Sequence, residues 1–188
     1  EGTSGGLPGT AVLSITVVAA LGIGTATLPS GFWGVSYSAG VSATGGDGTP
    51  SFGLAAGSFP AGLYLDAGTG ALTGTPASPG TSNFTVEATN ALGLSAQQAL
   101  SISIFPPLSV STSSLSGGSQ GVAYNETVSA TGGDGSYTWV VSAGALPAGL
   151  SLAAGTGVIS GTPATPGTSN FTVQVTSGDG QGSTADLA

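Results

Sequence analysis

A chain of 188 residues holds one sizeable core or two small ones. It contains no Lys, Arg, His, Cys or Met, and eight acids give it a formal charge of −8. Without cations to neutralise phosphates, nucleic acids and anionic membrane surfaces are excluded as partners, and without His, Cys or Lys most general-base, thiol and soft-metal chemistry is excluded too.

Only 4% of residues are charged and mean hydropathy is +0.39. Soluble domains carry far more surface charge, so this surface is expected to pack against neighbours or to lie under glycan.

The first element in the chain is the apolar run AVLSITVVAALGIG at 11–24. It is too short to span a bilayer, and its internal match settles its character. QALSISIFPPLSVS at 98–111 aligns with it and carries two prolines between alternating stretches. Both read as strand, linker, strand, and no membrane insertion is expected in this segment.

The same offset, 87 residues, relates everything that follows. VSATGGDG at 41–48 recurs at 128–135, and PAGL at 60–63 recurs at 147–150. GTPASPGTSNFTV at 74–86 recurs with a single change at 161–173. Self-similarity at a fixed period marks tandem modules. Residues 1–17 match 88–104 and read as the terminal strand or hairpin of a preceding repeat, or as a donor strand. Residues 18–105 form repeat one. Residues 106–188 form repeat two, whose last strand is incomplete by alignment with the first.

Gly and Pro punctuate the chain every few residues, with Val, Ile, Thr and aromatics between them, which favours short strands. In SNFTVEA at 82–88, Phe84, Val86 and Ala88 share one face, and Leu100, Ile102 and Ile104 alternate with serines. Period two with one apolar face predicts half-buried antiparallel strands. Tyr37, Val41 and Phe52, with Tyr124, Val128 and Trp139 in repeat two, are predicted core residues. Glu126 stands where repeat one has Ala39 and is expected at a sheet margin. GGDG at 45–48 and 132–135 is predicted to be a hairpin-type turn with positive φ. The fold class is all-β: two tandem β-sandwiches with a leftover N-terminal strand.

The pattern Y…V-x-A-x-GG-x-G…(F/W)…LP-x-GL-x-L…TG-x-(L/I)-x-GTP-x-x-PGT-x-NFTV resembles the immunoglobulin-like modules of large bacterial surface proteins, which are similar to cadherin-type repeats. Repeat one departs from it with SFP at 58–60, where repeat two has ALP. The resemblance implies tandem immunoglobulin-like sandwiches, located extracellularly or on the cell surface, that act as spacers or adhesive units and are sometimes appended to enzymes.

Asp47 and Asp134 occupy equivalent glycine-rich turns. They are the calcium candidates, but a calcium site takes six to eight oxygens, and turn geometry accounts for both without a metal. No cofactor is expected. Eight scattered acids offer no glycosidase pair, so the chain is not expected to be an enzyme. Asn83, Asn125 and Asn170 begin N-x-T sequons and are candidate glycosylation sites, although each also suits a strand beginning at a corner. Trp33 has Gln120 as its equivalent and so is not a core requirement; Phe32, Trp33 and Tyr64 are the candidate surface contacts with a neighbour or a glycan. Leu13, Ile15 and Val17 are the candidate assembly strand, able to add to the edge of another subunit. The expected partner is the same protein, as neighbouring repeats or further copies. The expected role is a structural module of a fibre, stalk or surface array; the alternatives are an adhesin or carbohydrate-binding module and an accessory domain of a secreted enzyme.

Overall fold

A computed structural model describes residues 14–188. Repeat one contains β1 (Gly22–Ile23), β2 (Gly31–Phe32), β3 (Tyr37–Gly40), β4 (Ala43–Thr44), β5 (Ser51–Gly57), β6 (Leu63–Leu65), β7 (Ala71–Gly74), β8 (Gly80–Thr89) and β9 (Ser95–Phe105). Repeat two contains β10 (Ser109–Val110), β11 (Tyr124–Thr127), β12 (Ala130–Thr131), β13 (Tyr137–Gly144), β14 (Leu150–Leu152), β15 (Val158–Gly161), β16 (Phe171–Ser177) and β17 (Gly182–Leu187). There is no helix among the described residues.

Each repeat folds into two principal sheets. In repeat one the orders are β2-β9-β8-β5 and β3-β7-β6; in repeat two they are β13-β16-β17 and β11-β15-β14. A short antiparallel pair, β1-β4 or β10-β12, closes one end. The sheets face each other across separate cores. One core centres on Leu72, Val86 and Ile102, and the other on Ile159, Val173 and Val175, all essentially without exposure. Leu108 belongs to the second core. Alternation along β8 and β9 supplies the inward faces, as period two requires. The bulges between Leu54 and Ala56 and between Val141 and Ala143 fall at equivalent points, so even the local irregularity is repeated.

The GGDG segment differs from expectation. Gly45, Gly46 and Gly48 do adopt positive φ, but β4 pairs with β1 and β5 pairs with β8. The loop is therefore a corner between layers rather than a hairpin, because its flanking strands face different partners. The hairpin lies instead at residues 90–94, between β8 and β9. Glu126 is half-buried on β11, the margin of its sheet, opposite Ile159. Its charge adds to the main effect, burial, in raising the Tyr124 phenol above its ordinary value.

Of the expected leftover strand, only residues 14–17 are described, and they are not paired. Leu13 lies outside the described residues, and residues 14–21 form no ladder, with Ile15 92% and Val17 91% exposed. A strand's hydrogen bonds require a partner edge, and neither repeat of this chain supplies one to that segment.

Candidate functional site

The junction between the repeats is held by a set of polar contacts. At the junction, the Pro106 carbonyl accepts hydrogen bonds from Gly133 N–H at 2.9 Å and from Gln181 Nε2 at 3.1 Å. The other end of the same amide, Gln181 Oε1, accepts from Leu108 N–H at 3.0 Å. Gln181 thus grips the linker on both sides of Pro107, whose ring fixes φ and offers no N–H. Asp179 holds the amide in turn, accepting from Gln181 Nε2 at 2.9 Å and from Gln181 N–H at 3.0 Å. Gln181 was invisible to pattern reasoning. The only signal was that a polar residue replaces Leu94 at an otherwise similar turn.

Burial pushes the Asp179 carboxyl up, but hydrogen bonds from the Ser177 hydroxyl and from Gln181 outweigh it and hold the group below the usual aspartate value of 3.8. Because the folded value is depressed, its stabilising contribution is full above about pH 4 and is lost as pH falls through the folded value. Asp179→Asn is expected to cost about 1 kcal/mol in repeat two at neutral pH and to flatten the stability loss below pH 4, read by urea titration at several pH values.

At the opposite end of repeat one, Gly46 N–H donates to the Ala19 carbonyl at 2.8 Å, which reproduces the bond from Gly133 to Pro106. The clamp itself is absent there. Asn90 Oδ1 accepts from the N–H groups of Leu92 (3.1 Å) and Leu94 (2.9 Å), and the side chains of both leucines are more than half exposed.

Repeat two contains a cavity of about 480 Å³. Leu115, Tyr124, Leu146, Leu150, Ile159 and Phe171 supply its apolar wall. In repeat one the equivalent space is filled by β9: Ile102 and Ile104 are 1% and 2% exposed, and a β-carbon on Gly31 would lie 2.9 Å from Ile104 Cδ1. Gly31, Tyr37, Pro60 and Leu63 are buried there, whereas Gly118, Tyr124, Pro147 and Leu150 are half-buried or exposed. The backbone differs in the same way. Gly80–Asn83 pairs with Ser101–Ile104, while residues 167–170 are outside any strand.

The aromatic candidates do not form one platform. Phe32 is half-buried in β2, and Trp33, 47% exposed, donates its backbone N–H to the Phe105 carbonyl at 2.9 Å beside the junction. Tyr64, 74% exposed, lies in the other sheet on β6, opposite Thr73. Asp47 is exposed; Asp134 Oδ1 accepts from Ser136 N–H at 2.9 Å and Gly178 N–H at 3.1 Å, which is turn work. Among the described residues no three acidic side chains converge on a point that would hold a metal ion. Asn83, Asn125 and Asn170 are exposed, and Thr172 of the last sequon donates its hydroxyl to Asp186 Oδ1 at 2.7 Å. No helix of the described residues is long and apolar enough to cross a membrane.

A search of the curated proteins found none that matches. Among solved structures, Sidekick-1 immunoglobulin domains 1-4 are similar at 16% identity and a TM-score of 0.60, over 93% of this chain and 49% of that one. A C-terminal 282-residue fragment of intimin is similar at 21% identity and a TM-score of 0.50, over 92% of this chain and 64% of that one. The protocadherin GammaB4 extracellular domain matches with a TM-score of 0.45 at 18% identity, over 89% of this chain and 34% of its own length. The chain therefore spans about a third to two thirds of these structures, and at such identity the likeness to Sidekick-1 and intimin shows the fold alone. The family model described as "Putative Ig domain" matches twice, over residues 15–105 and 106–187. With both sandwiches matched from end to end, the chain belongs to that immunoglobulin-like family as two tandem copies.

Proposed function

We propose that the chain is a structural module of an extracellular fibre, stalk or surface array, that it catalyses nothing, and that β-strand addition between subunits extends the array. The observation that supports this best is the repetition itself. The same sandwich is written twice, down to its bulges and corner glycines, and the two copies are joined by a proline linker held on both sides by Gln181. Modules in a row supply length and a recurring surface without chemistry of their own. The scarcity of charge fits a surface that is covered, by neighbouring modules or by glycan on Asn83, Asn125, Asn170 and the many outward Ser and Thr residues.

Labelling the source cells with an antibody against the folded chain is expected to decorate surface appendages or the envelope continuously. Label confined to the cell interior would refute the reading. A second reading, an adhesin that binds carbohydrate, draws on Trp33 and Tyr64, two exposed aromatics at positions that repeat two does not keep. Under the array reading, Trp33→Ala leaves binding to a glycan panel unchanged; a loss of binding would favour the adhesin.

The linker clamp gives a separate expectation. Gln181→Ala leaves the Leu108 N–H without its partner, and is expected to cost about 1–2 kcal/mol in repeat two and to raise amide exchange at Leu108.

A further inference from the structure

We propose that Asn83 and Asn170 carry N-linked glycan whose first sugars lie in a groove beside each asparagine, and that Asn125 stays bare. The proposal rests on the array reading and names the covering of its uncharged surface.

The groove recurs with the module. In repeat one it has a volume of about 560 Å³ and is lined by residues 56–57 of β5, 83–85 of β8, 99–101 of β9 and the segment 26–28. Repeat two has a groove of about 520 Å³, lined at the equivalent positions 143–144, 170–172, 186–188 and 113–114. No charged side chain lines the first groove. Thr27, Thr85 and Ser101 offer hydroxyls there, next to the apolar Leu28 and Leu100. A neutral sugar ring presents the matching mixture of hydroxyls on a carbon frame, and a mostly apolar lining with a few placed polar groups is what such ligands occupy.

The place of Asn83 in the sheet points the same way. It is exposed, is the fourth residue of β8, and faces Ser101 across the ladder. It is therefore not the start of a strand at a corner, which its sequence also suited, and Asn is disfavoured inside strands. Its neighbours leave room for an appended group. Ser101 is small, and on the other side Gly57 has no side chain. A β-carbon on Gly57 would meet the Asn83 carbonyl oxygen and lie 2.8 Å from Phe84 Cα. Gly144 meets Asn170 and Phe171 in the same manner, so both modules keep this place clear. Thr85, two residues on, shares the face of Asn83 and completes the sequon, as Thr172 does for Asn170. Asn170 directly precedes β16 and borders its own groove. Asn125 differs on each count. It is second in the edge strand β11, borders neither groove, and has Ser38 as its equivalent, so its sequon does not belong to the module.

The sugar arrives from a donor activated as a lipid-linked or nucleotide-linked diphosphate, through a separate transferase. The Asn83 amide nitrogen bonds to the anomeric carbon and loses a proton. The bond from that carbon to the diphosphate oxygen breaks, and the diphosphate leaves with the electron pair. The product is a bulky, solubilising group on a chain that has little charge to keep it in solution.

Native chain from the source cells, digested with elastase because it has no Lys or Arg for trypsin, is expected to yield peptides in which Asn83 and Asn170 bear sugar and Asn125 does not. Thr85→Val, a good strand residue expressed in the same cells, is expected to lose the sugar at Asn83 alone, and Thr85→Ser to keep it. Hydroxyl-radical labelling of Leu28 is expected to rise severalfold when the glycan is released enzymatically, with Tyr64 on the other sheet unchanged. Bare Asn83 in the native chain, sugar on Ser and Thr only, or sugar retained by Thr85→Val would overturn the attachment. Asn125 as fully modified as Asn83 would show that exposure rather than the groove selects the site, and equal labelling of Leu28 with and without glycan would remove the groove as its seat. Each of these results leaves the array reading standing, because that reading rests on the repetition and is tested separately by labelling of the cell surface.

Discussion

Gly161→Ala is expected to destabilise repeat two by about 3 kcal/mol or more, enough to leave much of it unfolded. Gly161 has φ of 139°, a region that residues with a β-carbon rarely adopt. A β-carbon there would also sit on the Gly149 carbonyl oxygen, within 3.1 Å of its carbon and 3.2 Å of Leu150 Cα. All three are backbone atoms of the neighbouring strand β14 and its approach, so no side chain can rotate away. Gly74 faces Gly62 in the same manner in repeat one. Gly74→Ala is therefore expected to remove the denaturation transition of repeat one and leave that of repeat two. The control is Gly40→Ala, where nothing lies within 4 Å and φ is not positive; it is expected to change stability by less than about 1 kcal/mol. Equal effects at Gly161 and Gly40 would show that the close approach of β14 and β15 is not a constraint.

Trp139→Ala is expected to cost about 3–5 kcal/mol, again in repeat two alone. Trp139 is 4% exposed, pairs with Val175 across β13 and β16, and covers Gly157, whose β-carbon would lie 3.1 Å from the indole. Its removal leaves a cavity between the sheets that rigid strands cannot close. The two cores share no residue, so the chemical denaturation of repeat one is expected to be unchanged. Phe52→Ala should reverse the assignment. A single merged transition shifted equally by either substitution would mean that the repeats fold as one unit.

Much of this was legible in the sequence, because period-two alternation and a constant offset report on strands and modules directly. Phe84, Val86 and Ala88 fell inward as their spacing required, and Trp139 took the core place of Phe52. Two motifs that recur without change, PAGL and GTP, hold Gly62, Gly74 and their equivalents, where backbone meets backbone. Such identity looks functional in a sequence and is steric in the structure. Two things were not legible. Whether GGDG joins paired strands depends on which sheet each neighbouring strand enters, a tertiary choice that the turn residues do not encode. The clamp by Gln181 depends on where the linker passes, and a lone glutamine in a polar turn carries no pattern. The unpaired Ile15 and Val17 show the same limit from the other side: their alternation reads as a strand, but alternation does not supply a partner edge.

The most direct test of the account is the size of the folded 188-residue chain as its concentration is raised, followed by sedimentation and by electron microscopy of the same samples. A single species near 17.6 kDa is expected in dilute solution, giving way to unbranched rows of paired modules as concentration rises. A chain that stays monomeric throughout, or that stops at a closed pair, would contradict it.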